Sequence, residues 1–196
     1  MTGFFVDTGM RMPSAEDTND TWLVRRFQSG DEREGVFTAI VERHREKLYW
    51  HIRRLVVSHE DANDVLQNTF LKAWNGLDGF REESKLFTWL YRIATNESLG
   101  FLEQKKRRST LPLGEAGPDM SEKLAVEDGY DASRIEWKLQ TAIQRLPEKQ
   151  RLVFCLRYYD EMPYEAMSEV LDTSVGALKA SYHHAVKKVE SWVLER

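Results

Sequence analysis

The last sixty-odd residues carry the punctuation of two short helices joined by a tight turn, and this constrains the fold more than any other stretch. Pro163 to Leu171 is a short amphipathic segment, Asp172-Thr173-Ser174 is a polar turn, and Val175 to Trp192 is a longer helical run. A turn of about three residues between two helices is a standard way to lay the second helix in a DNA major groove. Ser174 is a good N-cap for that second helix. Val175, Leu178, Tyr182, Val186 and Val189 share an i, i+3/i+4 stripe and are expected to face inward. Lys179, Ser181, His183, His184, Lys187 and Lys188 are left on the outer faces, where donors and acceptors suit base edges and phosphates.

Charge argues the other way. The chain has 196 residues and a net charge of −4, whereas proteins that hold DNA unaided draw most of their affinity from neutralised phosphates. Either DNA is not the partner, or another component supplies the affinity. The single cysteine, Cys155, excludes an internal disulfide and a multi-Cys zinc site, and its apolar neighbours Leu152 to Leu156 predict a buried, inert thiol. No apolar run is long enough to span a bilayer and no signal-peptide core precedes the first helix, so the chain reads as a soluble protein of the reducing cytoplasm.

Apolar residues recur at helical spacing almost throughout, which predicts an all-α fold of two small domains. Residues 1–16 read as a flexible tail and residues 17–108 as a first helical domain. Within that domain one helix spans Asp20 to Ser29, stopped by Gly30, with Trp22, Leu23, Val24 and Phe27 inward. Asp31 with Glu34, and Ser58 with Asp61, form capping patterns that open the next two helices, the second running to Trp74. A loop over residues 75–84 leads into a helix from Leu86 to about Arg108. Residues 109–132, rich in Gly, Pro and carboxylates, predict an acidic flexible linker. Residues 133–196 form the second domain, where Ser133 with Glu136 restarts helix and Pro147 breaks it.

Two further segments of the first domain carry mixed chemistry. Phe87, Trp89 and Tyr91 alternate with Lys85, Arg92 and Asn96, just after Phe80, Arg81 and Ser84. Rings that stack bases beside cations that follow a backbone suit single-stranded DNA, although Phe87, Leu90, Ile93 and Ala94 also make an ordinary core stripe. Asp61, Asp64, Gln67, Asn68, Leu71 and Lys72 share a mixed face suited to docking another helix. Catalysis finds no motif: there is no phosphate loop, nucleophile elbow or paired ligand pattern, and no cofactor is expected. His183 and His184 are adjacent on a helix and point different ways, which does not suit a metal. His44 and His51 share a helix face and nothing more.

Three motifs in order, Asp61 to Trp74, Phe87 to Asn96, and Leu146-Pro-Glu-Lys-Gln-Arg-Leu-Val-Phe154 through the helix from Ser174, resemble the extracytoplasmic-function sigma factors of the sigma-70 family over residues 20 to 193. The resemblance implies a non-enzymatic subunit that directs promoter-specific initiation by core RNA polymerase. It implies that Asp61, Asp64, Gln67, Asn68 and Leu71 dock on the clamp helices of the largest polymerase subunit. Phe80, Arg81, Ser84, Trp89, Arg92 and Asn96 are then expected to melt the −10 element and hold its non-template strand. Tyr164, Lys179, Ala180, Ser181, His183, His184 and Lys187 are expected to read the −35 element. The second domain would also meet the polymerase flap, and an anti-sigma factor is an expected partner. The linker also permits a closed free state. Acidity ceases to be a contradiction, because polymerase supplies phosphate contacts.

The chain departs in places from the pattern of the family it resembles. Asn68 stands where glutamate is usual, and Asp172 where glycine is commoner in the turn. Ala180 to His184 is poorer in arginine than its counterparts, and Glu97 and Glu103 make the −10 helix less basic. These departures predict an atypical −35 element and a grip weaker by about 1–3 kcal/mol for each lost bidentate arginine. A stand-alone helix-turn-helix regulator would instead bind DNA without polymerase. A polymerase adaptor that ignores DNA would tolerate Lys179→Ala and His184→Ala.

Overall fold

The computed structural model describes residues 20–108 and 134–194, and every regular element among them is helical. The first half contains α1 (Asp20–Ser29), α2 (Arg33–Val56), α3 (His59–Gly76), a short 3-10 turn (Leu77–Gly79) and α4 (Leu86–Arg108). The second contains α5 (Arg134–Gln144), α6 (Glu148–Tyr158), α7 (Tyr164–Leu171) and α8 (Val175–Leu194). The expected tail over 1–16, the acidic linker over 109–132 and the Ser133 cap lie outside the described residues. No described helix is long and apolar enough to cross a membrane.

Local chemistry accounts for most boundaries. Gly30 ends α1 with φ 89°, a conformation that costs glycine little, and its N–H donates to the Phe27 carbonyl at 3.2 Å. Ser58 caps α3 by accepting from the Asp61 N–H at 3.3 Å. Asp61 does not complete a reciprocal box, because its carboxylate instead pairs with Lys105 of α4 at 2.5 Å. Pro147, with no N–H to satisfy, sits immediately before α6.

One start differs from the sequence reading. Asp31 and Glu34 do not cap α2, which begins at Arg33 behind Glu32 in a left-handed conformation (φ 45°) and without a side-chain cap. Tertiary contacts override the local pattern here. The Glu32 carboxylate pairs with Arg26 at 3.0 Å, and Arg33 pairs with Asp78 at 2.6 Å while its guanidinium lies 4.2 Å from the Phe27 ring centre. The end of α3 also differs, running on to Gly76 rather than stopping at Trp74.

Helix α2 packs against α1, α3 and α4, and its C-terminal part also meets α6. Ile40, Leu48 and Ile52 are fully buried along it. At one end Phe27 and Phe37 each meet Trp74 edge-on, with ring centres 5.1 and 5.0 Å apart. Leu156, Met162, Met167 and Leu178 of the second half join this same buried cluster, so the apolar interior continues across both halves. A second cluster of Ile143, Leu146, Phe154, Cys155, Ala185 and Val189 holds α5, α6 and α8 together.

The stripe on α8 is rotated from its expected position. Leu178, Ala185 and Val189 are buried, whereas Val175, Tyr182 and Val186 are only half-buried. Helix α8 has three helical neighbours, α5, α6 and α7, and Ala185 is buried in the cluster shared with α5 and α6.

Phe27→Ala, which removes a fully buried ring from the aromatic cluster, is expected to cost about 3–5 kcal/mol in denaturant unfolding. Cys155 is completely buried, and burial pushes its thiol up to about 12. A thiol reagent at mildly alkaline pH is therefore expected to leave the native chain unlabelled and to react only after guanidinium unfolding.

Candidate nucleic-acid interface

Three surfaces collect the residues singled out by sequence. On α3, Asp64, Gln67, Asn68 and Leu71 are all exposed and fall one turn apart on a single face. Leu71 is 56% exposed and borders an apolar groove. Beside it, Phe37, Gln67, Phe70 and Trp74 complete a shallow apolar groove of about 440 Å³. Asp61 lies at the edge of this face and is tied back to Lys105. Lys72 pairs with Glu97 of α4, which fixes α3 against α4 and neutralises one of the acidic residues on the neighbouring helix.

The second surface is the loop before α4 and the outer face of that helix. Gln28 anchors the loop by donating from Nε2 to the carbonyls of Leu77 and Phe80, at 3.0 and 2.9 Å. Arg25 grips Glu82 at 3.1 Å from the other side. Phe80 is buried, with its ring centre 5.1 Å from that of Trp89. Trp89 in turn closes on Gly76, where a Cβ would stand 3.2 Å from the indole. Arg81 is exposed, Ser84 is half-buried, and Arg92 and Asn96 are exposed one turn apart on α4. A cavity of about 640 Å³ opens beneath the loop, lined by Phe80, Ser84, Lys85 and Phe87 from the first half and by Glu169 from α7.

Asp20, also on that cavity, keeps its charge. Burial opposes ionisation, but the bond from His44 at 3.2 Å and the nearby Arg43 outweigh it and hold the carboxyl below its usual range.

The third surface is the α7–α8 pair. Asp172 ends α7 at φ 47° and ψ 49°, and its N–H donates to the Ser168 carbonyl. Ser174 Oγ accepts from the Ala177 N–H at 3.4 Å and opens α8. Lys179, Ala180, His183, His184 and Lys187 are exposed, and Ser181 is half-buried. Spacings of four residues align Lys179, His183 and Lys187 in one row, with Ala180 and His184 in the next. The Tyr164 ring is approached by Arg157 at 5.2 Å and Lys179 at 5.6 Å, which steadies both cations beside the exposed rows. Lys188 points away, donating to Gln150 at 2.9 Å. Although the chain is acidic overall, α8 carries three lysines and one glutamate.

Sequence reasoning missed several positioning groups. Gln28 has no pattern that links it to the loop, and its partners lie 49 and 52 residues away. His51, read as a face-sharing histidine, is fully buried and bonded to Asp160, 109 residues on. Only the fold brings such pairs together.

Two family models match this arrangement: Sigma-70 region 2 over residues 40–108 and Sigma-70, region 4 over residues 136–189. The ECF RNA polymerase sigma-E factor of Escherichia coli (strain K12) is 32% identical over 187 residues, covering 91% of this chain and 96% of that protein. The sigma-E factor of Haemophilus influenzae is 30% identical over 185 residues, covering 90% and 96%. Among solved structures, CnrH in complex with the cytosolic domain of CnrY has the same fold, with a TM-score of 0.64 at 23% identity over 88% of this chain and 95% of that one. The sigma factor RpoE of Bartonella quintana gives 0.63 at 21%, over 82% and 98%.

A two-part helical fold ending in a helix-turn-helix, with relatives matched nearly end to end, defines a transcription initiation factor. The chain belongs to the extracytoplasmic-function sigma factors of the sigma-70 family. It is an alternative sigma factor that binds core RNA polymerase and directs transcription from specific promoters. Members of this family are DNA-binding transcription regulators and not known enzymes.

Asp172 holds a backbone conformation that suits glycine better. Asp172→Gly is expected to stabilise the helix-turn-helix by about 0.5–1 kcal/mol in thermal or denaturant unfolding, the relief of left-handed strain exceeding the added chain entropy.

Proposed function

We propose a division of labour among the three surfaces. The α3 face of Asp61, Asp64, Gln67, Asn68 and Leu71 docks on the clamp helices of the largest polymerase subunit, and its groove receives apolar side chains from them. Phe80, Arg81, Ser84, Trp89, Arg92 and Asn96 separate the −10 strands and hold the non-template strand. In this role Phe80, backed by the Trp89 ring, lines the cavity beneath the loop, while Arg81, Arg92 and Asn96 meet the strand from outside. Tyr164, Lys179, Ala180, Ser181, His183, His184 and Lys187 read the −35 duplex, and the second domain also rests on the polymerase flap.

The observation that carries this reading is the coincidence, on one chain, of an uncovered apolar groove with Leu71 at its rim and a basic helix-turn-helix row. The groove suits a helix partner, and the row suits a major groove. Polymerase bridges the two, so neither surface has to hold DNA alone. The factor works in the cytoplasm, where polymerase and chromosome are. The Bartonella quintana relative was solved with the anti-sigma factor NepR, which supports a partner of that kind here.

Transcription by purified core polymerase from a mapped promoter tests the assignment. Lys179→Ala and His184→Ala are each expected to lower initiation about tenfold, the loss of one base contact of about 1–3 kcal/mol, while core binding is kept. Leu71→Asp is expected to abolish core binding itself. Lys187→Ala is expected to weaken binding at all promoters and to reduce the salt dependence by about one ion. Undiminished initiation in both Lys179→Ala and His184→Ala would contradict −35 reading by α8.

A further inference from the structure

Tyrosine hydroxyls fall into two groups in this fold. Tyr49 bonds His59 Nδ1 at 2.7 Å, Tyr91 donates to the Lys47 carbonyl at 3.4 Å, and Tyr159 accepts from Gln140 Nε2 at 3.0 Å. Tyr158, Tyr164 and Tyr182 have no hydroxyl partner among the described residues. These three belong to α6, α7 and α8 and lie together. The Tyr158 and Tyr182 rings flank Phe154, with centres 5.2 and 5.9 Å away and planes inclined by 21° and 27°. Burial first, and then the Tyr164 phenol, push the Tyr182 hydroxyl above its usual range, while Arg157 opposes the shift and Tyr158 adds to it. Tyr182 therefore keeps its proton at neutral pH and stays a donor.

Two cations meet the same group. Arg157 and Lys179 approach the Tyr164 ring at 5.2 and 5.6 Å. Arg157 donates to the Met162 carbonyl at 3.2 Å, but neither cation pairs with a carboxylate among the described residues. Arg25, Arg33, Arg54 and Lys105, by contrast, each hold one. Two unneutralised charges beside hydroxyls with nothing to donate to suit an anion with several acceptor oxygens. The group opens outward, since Tyr158 is 49% exposed and Arg157, Tyr164 and Tyr182 are half-buried. It adjoins the exposed α8 row, because Lys179 belongs to both.

We propose that Arg157, Tyr158 and Tyr182, grouped around Tyr164, grip a backbone phosphate of the duplex beside the −35 element, the two extra hydroxyls replacing part of the hold that the arginine-poor stretch from Ala180 to His184 gives up. This rests on the −35 role given above to α8. A phenol hydroxyl donates to a phosphate oxygen without carrying charge, so its contact releases no counterion and is insensitive to salt. The Arg157 contact does release one and weakens as salt rises. An acidic chain thereby gains grip without adding cations. Phosphate contacts fix position and carry no sequence information. Base preference accordingly stays with the α8 rows, while the tyrosine group sets the strength of binding.

Binding of the holoenzyme, formed with purified core polymerase, to a fluorescent duplex carrying a mapped −35 element tests this across a series of salt concentrations. The double variant Tyr158→Phe/Tyr182→Phe keeps both rings and so keeps the stack on Phe154. It is expected to bind about tenfold more weakly, the loss of two hydrogen bonds to a charged group, with the salt dependence and the preference among −35 sequences unchanged. Arg157→Gln is expected to weaken binding and to reduce the salt dependence by about one ion. Undiminished affinity in the double variant overturns the proposal, as does an unchanged salt dependence in Arg157→Gln. A loss confined to some −35 sequences overturns it by making the tyrosines base readers. A loss of core binding, measured alongside, overturns it by assigning them to the polymerase flap. Lys179→Ala and His184→Ala on the same duplex keep the two readings apart: normal binding by both counts against the −35 role of α8, whereas normal binding by the tyrosine variant alone counts only against the phosphate grip.

Discussion

Burial along α2 organises the described part of the molecule. Over 24 residues this helix turns Ile40, Leu48 and Ile52 into the interior, and α1, α3 and α4 pack around it. Each fully buried aliphatic side chain contributes roughly 1.5–3 kcal/mol, so these positions together outweigh any surface pairing in the fold. The last two turns of α2 do something different, presenting His51 and Arg54 to Asp160 of the second half. One helix therefore serves as the spine of the first domain and the seat of the second.

Function is arranged around that spine by exclusion. Helix α3 spends one face on the core through Val65, Thr69 and Ala73, leaving Asp64, Gln67, Asn68 and Leu71 outside. Helix α4 does the same with Leu90, Ala94 and Ser98, leaving Arg92 and Asn96 outside. Helix α8 buries Leu178, Ala185 and Val189 and exposes the lysine and histidine rows. The candidate surfaces are thus the complements of three buried stripes. Their charge balance explains how an acidic chain joins DNA chemistry: α8 carries three lysines against one glutamate, while several carboxylates elsewhere are tied to arginine or lysine.

Much of this was legible in the residues because the signals are local. Gly30, Ser58, Pro147 and Asp172 mark helix ends through backbone chemistry that acts within a few residues, and helical spacing marks the buried stripes. The failures have a common cause. Asp31 and Glu34 form a plausible cap locally, but Glu32 and Arg33 are pulled away by Arg26 and Asp78. The α8 stripe rotates because three neighbours, not one, compete for its faces. His51 and Asp160 become partners only when chain segments 109 residues apart meet. Pairwise tertiary contacts between polar groups leave no periodicity, so the interdomain contact had no signature to find.

The most direct measurement of sigma function is a map of transcription start sites on a genomic fragment library, using purified core RNA polymerase with and without this protein. Bipartite promoter reading requires new start sites that share two upstream motifs at a fixed spacing. A stable complex with core polymerase that yields no new start sites, or new sites with only one shared motif, would contradict it.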